Sequence, residues 1–302
     1  MALQLADPAE TQTAQLVAQF GKGGGSCLTG RGSHSHRQEP SPSVQGVCDA
    51  LRGGHRHLDL DYKTAAALER AFPGTGDRML EERAFTARAV TWAADRGIRQ
   101  FIIAGAGRPA PAGQNPHDTA QAAQPGAVTV YAADDPYTAI WNRTLIAEGD
   151  PLAVSVEASV TDPARIFDDP GLTSLIDLAD PVCVVVPMVL HFARAPQARR
   201  ILRGLTTPLA AGSTVAVSAW TRCEPEEAAE FDRLFAVRPI WRHSEASIAR
   251  WMTAAELGIE PRPRGRHPGV VDARLWPRQA WAAGQLPGRP AERIVVAVGV
   301  RD

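Results

Sequence analysis

Two groups of residues in this chain have the types and spacing to do chemistry. Glycines and acids at strand ends suit a nucleotide-like ligand, while histidines and arginines suit proton transfer and anion binding. The segment 100–110, QFIIAGAGRPA, is an apolar run ending in Gly105-Ala106-Gly107. Glycines there permit a tight turn and close approach of the backbone to a ligand. The residues feeding the turn, Ile102, Ile103 and Ala104, include no acid. Two adjacent acids, Asp134 and Asp135, follow about thirty residues on, where a carboxylate commonly accepts hydrogen bonds from a ribose diol. Asp135 precedes Pro136 and reads as a helix cap, which leaves Asp134 as the freer carboxylate. Asp162 before Pro163 reads the same way, so Ser159 takes the pocket position of the next unit.

Leu190-His191-Phe192 ends a further apolar run. An imidazole at such a strand end serves as acid or base near neutral pH, or sits in the core bonded to backbone. Upstream, Arg52-Gly53-Gly54-His55-Arg56-His57 follows a helical segment carrying Asp49. The double glycine reads as a helix stop that folds over the pocket mouth. His55 and His57 have no evident third ligand, so proton transfer or anion contact is expected of them and no metal site. Arg83 and Arg88 fall on a long helical segment, either as pocket cations or as a solvated face. His34-Ser35-His36 lies in a Gly-, Ser-, His- and Pro-rich stretch and reads as part of a solvated arm.

The elements that must position these groups alternate. Helical periodicity runs over 43–51, 61–72 and 78–95, the last with Leu80, Phe85, Ala89, Val90 and Trp92 at helical spacing. Strand-like runs follow at 100–104, 128–132, 153–158, 182–189, 214–218 and 294–300. Helical segments at 115–123, 136–148, 194–205, 225–235 and 244–256 separate most of them. Val- and Ile-rich strands alternating with helices predict a doubly wound, mostly parallel α/β sheet. Its ligands belong at the carboxyl ends of the first strands. A Pro-, Arg- and Gly-rich excursion, 261–290, precedes a final run that suits an antiparallel edge strand. The organisation expected is a flexible arm over 1–42, a helical cap over 43–97 and a Rossmann-like domain over 98–302.

A length of 302 residues accommodates that plan, and a net charge of -1 gives no field pointing to nucleic acid or membrane. Cys27, Cys48, Cys183 and Cys223 form no CxxC pair, which argues against a zinc knuckle or a disulfide framework. The longest apolar run is too short to span a bilayer, and residues 1–25 lack the pattern of a signal peptide. A cytoplasmic protein is expected.

The order and spacing of these motifs over roughly 43–300 resembles an actinobacterial family of S-adenosylmethionine-dependent methyltransferase-like proteins. Asp49, Leu51, Gly53 and Gly54 match its N-terminal signature, and Arg83, Phe85 and Arg88 match its long helix. Gln100-Phe101, Gly105, Gly107, Pro109, Asn115, His117 and Tyr131 also match. So do Asp135-Pro136, Asp162-Pro163 and Leu190-His191-Phe192. The resemblance implies a seven-stranded class I (Rossmann-type) sheet, with Gly105 and Gly107 as cofactor-binding positions. It also implies three acids that are not present. Ile103 stands at the first-strand acid, Ala133 at the ribose acid with Asp134 beside it, and Ser159 at the adenine-reading acid. Arg108 replaces an apolar residue, and His55-Arg56-His57 replaces a Lys-Asp-Asn type sequence.

Acids favour a sulfonium and an ammonium, whereas Arg108 beside a glycine turn favours an anion. The residues thus point to an enzyme that has lost S-adenosylmethionine, takes no cofactor and catalyses a non-methylating displacement or cyclisation. Its substrate would be a small metabolite, free or carrier-bound, with an anionic leaving group. Asp134, His55, His57 or His191 would take the proton. Asp49, Arg56, Arg83, Arg108, Asn115 and Ser159 would hold the substrate and the departing anion. The alternatives are a divergent O- or N-methyltransferase that does bind S-adenosylmethionine, and an inert partner protein.

Overall fold

The computed structural model describes residues 41–147, 149–221, 224–260, 270–273, 276 and 294–301. The expected arm, the histidines at 34 and 36 and most of the 261–290 excursion lie outside these residues.

Five parallel strands come first: β1 (Gln100–Ala104), β2 (Val128–Ala133), β3 (Ala153–Glu157), β4 (Val182–Val186) and β5 (Thr214–Trp220). Three more follow: β6 (Leu257–Glu260), the two-residue β7 (Val271–Asp272) and β8 (Ile294–Arg301). The sheet order is β3-β2-β1-β4-β5-β8-β6, with β7 paired to β8 off that path. Seven strands thus lie side by side, mostly parallel and flanked by helices, in the class I methyltransferase-like (Rossmann-type) arrangement. Strand succession reverses between β1 and β4, and that switch point opens a crevice beyond the carboxyl ends. β8 is antiparallel to β5 and β6 and lies inside the sheet, not at its edge. Its run IVVAVG is buried throughout, and such an apolar strand needs a neighbour on each side and cover on both faces.

The three helices before β1 are Val44–Leu51, Asp59–Ala71 and Thr75–Ala94. The third packs on the sheet through Met79, Glu82, Phe85, Thr86, Ala89, Val90 and Ala93, which recur every three or four residues. Leu80, expected on that face, is 44% exposed. The buried face therefore carries a carboxylate, Glu82, in the middle of its apolar stripe. The run read as a strand over 182–189 stops at Val186. Pro187 cannot donate to the ladder, Met188 has φ 53°, and a 3-10 turn covers Leu190–Phe192. Likewise the helix expected over 136–148 ends at Asn142 and continues as a π turn, Arg143–Ala147.

Candidate active site

Two chambers with shared wall residues open at the switch point. The outer one is lined by Gly105, Gly107, Asp134, Val160, Thr161, Met188, Val189 and Phe192, and by Val44, Gln45 and Cys48 of the first helix. It encloses about 790 Å³ of space, the open solvent at its mouth included. The inner chamber lies between the helix Thr75–Ala94 and the glycine turn. Its walls include Glu82, Arg83, Thr86, Ile103, Arg108, Asn115 and Tyr131. Arg52, Gly107 and Pro187 line both.

The turn between them depends on glycine. Gly105 has φ 87°, and a Cβ there would lie 2.4 Å from Val189 Cγ2. Gly105→Ala is therefore expected to cost about 2–4 kcal/mol through backbone strain and overpacking, read as a fall in unfolding midpoint. An unchanged midpoint would show that the turn relaxes freely. Across the cleft, Met188 is a second strained position, a buried non-glycine residue at φ 53°. Its N–H donates to the Ser218 carbonyl at 3.1 Å and to Ser218 Oγ at 2.9 Å. That hydroxyl in turn donates to Glu82 Oε1 at 2.9 Å, linking the outer chamber's wall to the inner chamber's acid.

The residues expected from sequence separate into groups. Asp134 is exposed at the end of β2, lines the outer chamber and makes no hydrogen bond or ion pair among the described residues. Its neighbour Asp135 caps the next helix, accepting from Thr138 N–H at 2.9 Å. Ser159 pairs with the Thr161 hydroxyl at 2.9 Å, and Thr161 reaches the chamber wall. Arg83 lines the inner chamber. Burial and the neighbouring Arg52 push its pKa down to about 10, so it stays charged at neutral pH.

Asp49 is buried and accepts from the Arg56 N–H at 2.8 Å and faces His57 Nδ1 at 3.1 Å. Gly54 makes this possible, because a Cβ there would collide with the Asp49 carboxylate at 2.2 Å. Arg56 continues across the cap loop to the Pro109 carbonyl at 3.3 Å and lies over the Trp141 ring. His55 is exposed. Neither histidine is among the chamber walls.

Three expectations are corrected. Arg108 is not a free anion-binding cation. Its side chain is 6% exposed, 3.8 Å from Asp61 Oδ2, and donates to Ser43 Oγ at 3.2 Å. Asn115 is occupied as well: its Oδ1 accepts from Ala110 N–H and its Nδ2 donates to the Ala110 and Pro111 carbonyls, holding the loop before the helix Pro116–Ala123. His191 is fully buried against Trp220 and Phe192, with Nδ1 accepting the Trp220 N–H at 3.3 Å. Burial, then the nearby arginines 242 and 238 and His243, lowers its pKa well below the usual value. It is a neutral core residue, not an acid or base of the site. Cys48 meets the outer chamber, but burial raises its thiol to about 11 and keeps it protonated.

Sequence reasoning missed Arg52 and Glu82, which form the buried ion pair between the chambers at 2.8 Å. The available signal was an acid on the apolar stripe of a long helix, where an unpaired charge would be costly. Among the described residues no cluster of three metal-ligating side chains occurs, and no helix is long and apolar enough to cross a membrane.

A family profile for S-adenosyl methyltransferases matches residues 33–301. No curated protein matches. Two crystal structures are similar over nearly their whole length. One is a DUF574-family protein from Streptomyces avermitilis, 29% identical, covering 87% of this chain and 98% of its own, with a TM-score of 0.76. The other is a candidate methyltransferase from Thermobifida fusca, 25% identical, covering 88% and 99%, with a TM-score of 0.74. With a matching profile over most of its length and the same sheet, this chain belongs to the S-adenosyl methyltransferase family.

Proposed function

We propose that this chain is an S-adenosylmethionine-dependent methyltransferase acting on a small molecule. The observation that carries this reading is Asp134, a carboxylate with no partner among the described residues, on the wall of the cleft that the Gly105–Gly107 turn opens. A ribose diol supplies the two donors such an acid lacks. Val160, Met188 and Val189 offer apolar faces to a planar base, and the Thr161 hydroxyl stands at its rim. The cofactor supplies an electrophilic methyl group on a sulfonium. The chain itself contributes proximity and orientation within a covered cleft.

The non-methylating reading depended on three missing acids and on the arrival of cationic or imidazole groups, Arg108 among them. Asp61 lies 3.8 Å from Arg108, and Glu82 pairs with Arg52 at 2.8 Å, so the site is less hostile to a sulfonium than its sequence suggests. Calorimetry with S-adenosylhomocysteine tests the proposal. Micromolar binding is expected, and Asp134→Ala should weaken it about 10- to 100-fold through loss of charge-assisted hydrogen bonds. Binding no tighter than millimolar would overturn the reading and favour the non-methylating enzyme or the inert partner.

A further inference from the structure

We propose that the methyl acceptor is a small carboxylic acid with an apolar body, and that Arg238 receives its carboxylate in the outer chamber. The proposal rests on the methyltransferase reading and names the class of its second substrate.

Among the described residues, three charged side chains line the outer chamber: Arg52, Asp134 and Arg238. Arg52 is paired with Glu82 at 2.8 Å, and Asp134 is the carboxylate assigned above to the cofactor's ribose. Arg238 is the charge left over. It is exposed, lies over the Phe192 ring at 5.5 Å, and makes no hydrogen bond or ion pair among the described residues. Arg242 nearby lies over the Phe231 ring at 5.6 Å but is bound to Asp232 at 2.8 Å. Of these two ring-covering arginines, only the one on the chamber wall lacks an acid.

The place of Arg238 is set by the chain on either side of it. The helix Pro225–Phe235 ends at Ala236, whose φ of 41° turns the backbone sharply. Beyond Arg238, the Trp241 N–H donates to the His191 carbonyl at 2.7 Å, and His243 Nε2 donates to the Ala193 carbonyl at 2.9 Å. The segment 236–243 is thus stitched to the turn that carries Phe192, and Phe192 stacks in turn on Phe235 at 6.0 Å. A cation supported in this way loses less freedom on receiving a ligand than an unsupported one.

The walls select the ligand. Val189, Phe192 and Ala193 of the turn are apolar, which suits an apolar body. The planar fork of a guanidinium matches a carboxylate at its end. Gln45 is neutral and the Cys48 thiol stays protonated, so neither adds a second charge. One cation answers one negative charge. A phosphate dianion would leave a charge unanswered in a chamber that also holds Asp134, so a carboxylate is favoured.

The test uses protein saturated with S-adenosylhomocysteine. Benzoate, cinnamate and indole-3-acetate are each titrated against their primary amides, with binding read by ligand-observed NMR. At least one acid should bind about 10-fold more tightly than its amide. Arg238→Gln should abolish that preference and Arg238→Lys keep part of it. Both variants should hold S-adenosylhomocysteine within about twofold of the wild-type affinity, which shows that the fold is intact. Absence of the preference in all three pairs, or its persistence in Arg238→Gln, overturns the acceptor assignment and leaves the methyltransferase reading standing. Phenyl phosphate binding more tightly than benzoate overturns the assignment in the same way. If S-adenosylhomocysteine does not bind the wild type, that reading falls and the assignment with it.

Discussion

Replacing Asp61 with alanine is expected to lower the unfolding free energy by about 3–5 kcal/mol, the usual cost of stripping a buried charge of its partner. Asp61 is 1% exposed and accepts the Ser43 N–H at 2.7 Å and the Leu58 N–H at 2.9 Å. It is also the only carboxylate paired with Arg108 among the described residues, at 3.8 Å. Without it, Arg108 stays buried with no acid beside it, and its Nε already lacks a hydrogen-bond partner. Thermal unfolding should move down by about 10 °C for a domain of this size. The reverse deletion is milder. In Arg108→Leu, Asp61 keeps its two backbone donors, so the loss should stay below about 2 kcal/mol. Chemical denaturation of both variants checks the asymmetry. Equal losses, or a loss under about 1 kcal/mol for Asp61→Ala, would show that Arg108 finds another counter-charge.

Acidification should reveal His191. Burial holds its folded-state pKa below the unfolded value of about 6.5. Between those two values the unfolded chain binds a proton that the native chain refuses, so stability is complete above the upper value and falls as pH drops through it. The slope reaches about 1.4 kcal/mol per pH unit for one such group. His191→Asn keeps an acceptor near the Trp220 N–H and removes the titration. Denaturation midpoints measured from pH 7 to pH 5 should therefore fall more steeply for the wild type than for the variant. Parallel curves would mean that the native core admits the proton. A histidine with this behaviour is structural, which is why the 3-10 turn Leu190–Phe192 can place it beneath the site without giving it a role there.

Much of the fold was legible because its signals are local. The run 100–104 is the strand β1 without adjustment, and Asp135 before Pro136 predicted a cap that the Thr138 N–H confirms at 2.9 Å. Periodicity placed the helices to within a few residues. It failed where one residue's backbone constraint cut an apolar run short, as at Pro187 and Met188, and where pairing partners lie far apart in sequence. The interior position of β8 is of this second kind. It depends on β6 occupying the edge, and a four-residue strand after the helix Glu245–Ala254 gives little signal of its own.

The candidate site divides along the same line. Residue types and strand ends alone placed Gly105, Gly107 and Asp134 on one cleft, because β–α turns follow from alternation and the crevice follows from topology. Charge balance was beyond reach of the sequence. Arg108 read as a free cation until Asp61, 47 positions earlier, proved to lie against it. Glu82 went unremarked in the sequence, and its burial beside Arg52 and Ser218 gives it a place in the site. Which strands and turns form, and where a ligand must lie, is set by local geometry and hydrophobic pattern. Which charges remain available to that ligand is set by distances of a few ångströms between segments remote in the chain. Coulomb and desolvation energies change steeply over such distances, and only the folded structure specifies them.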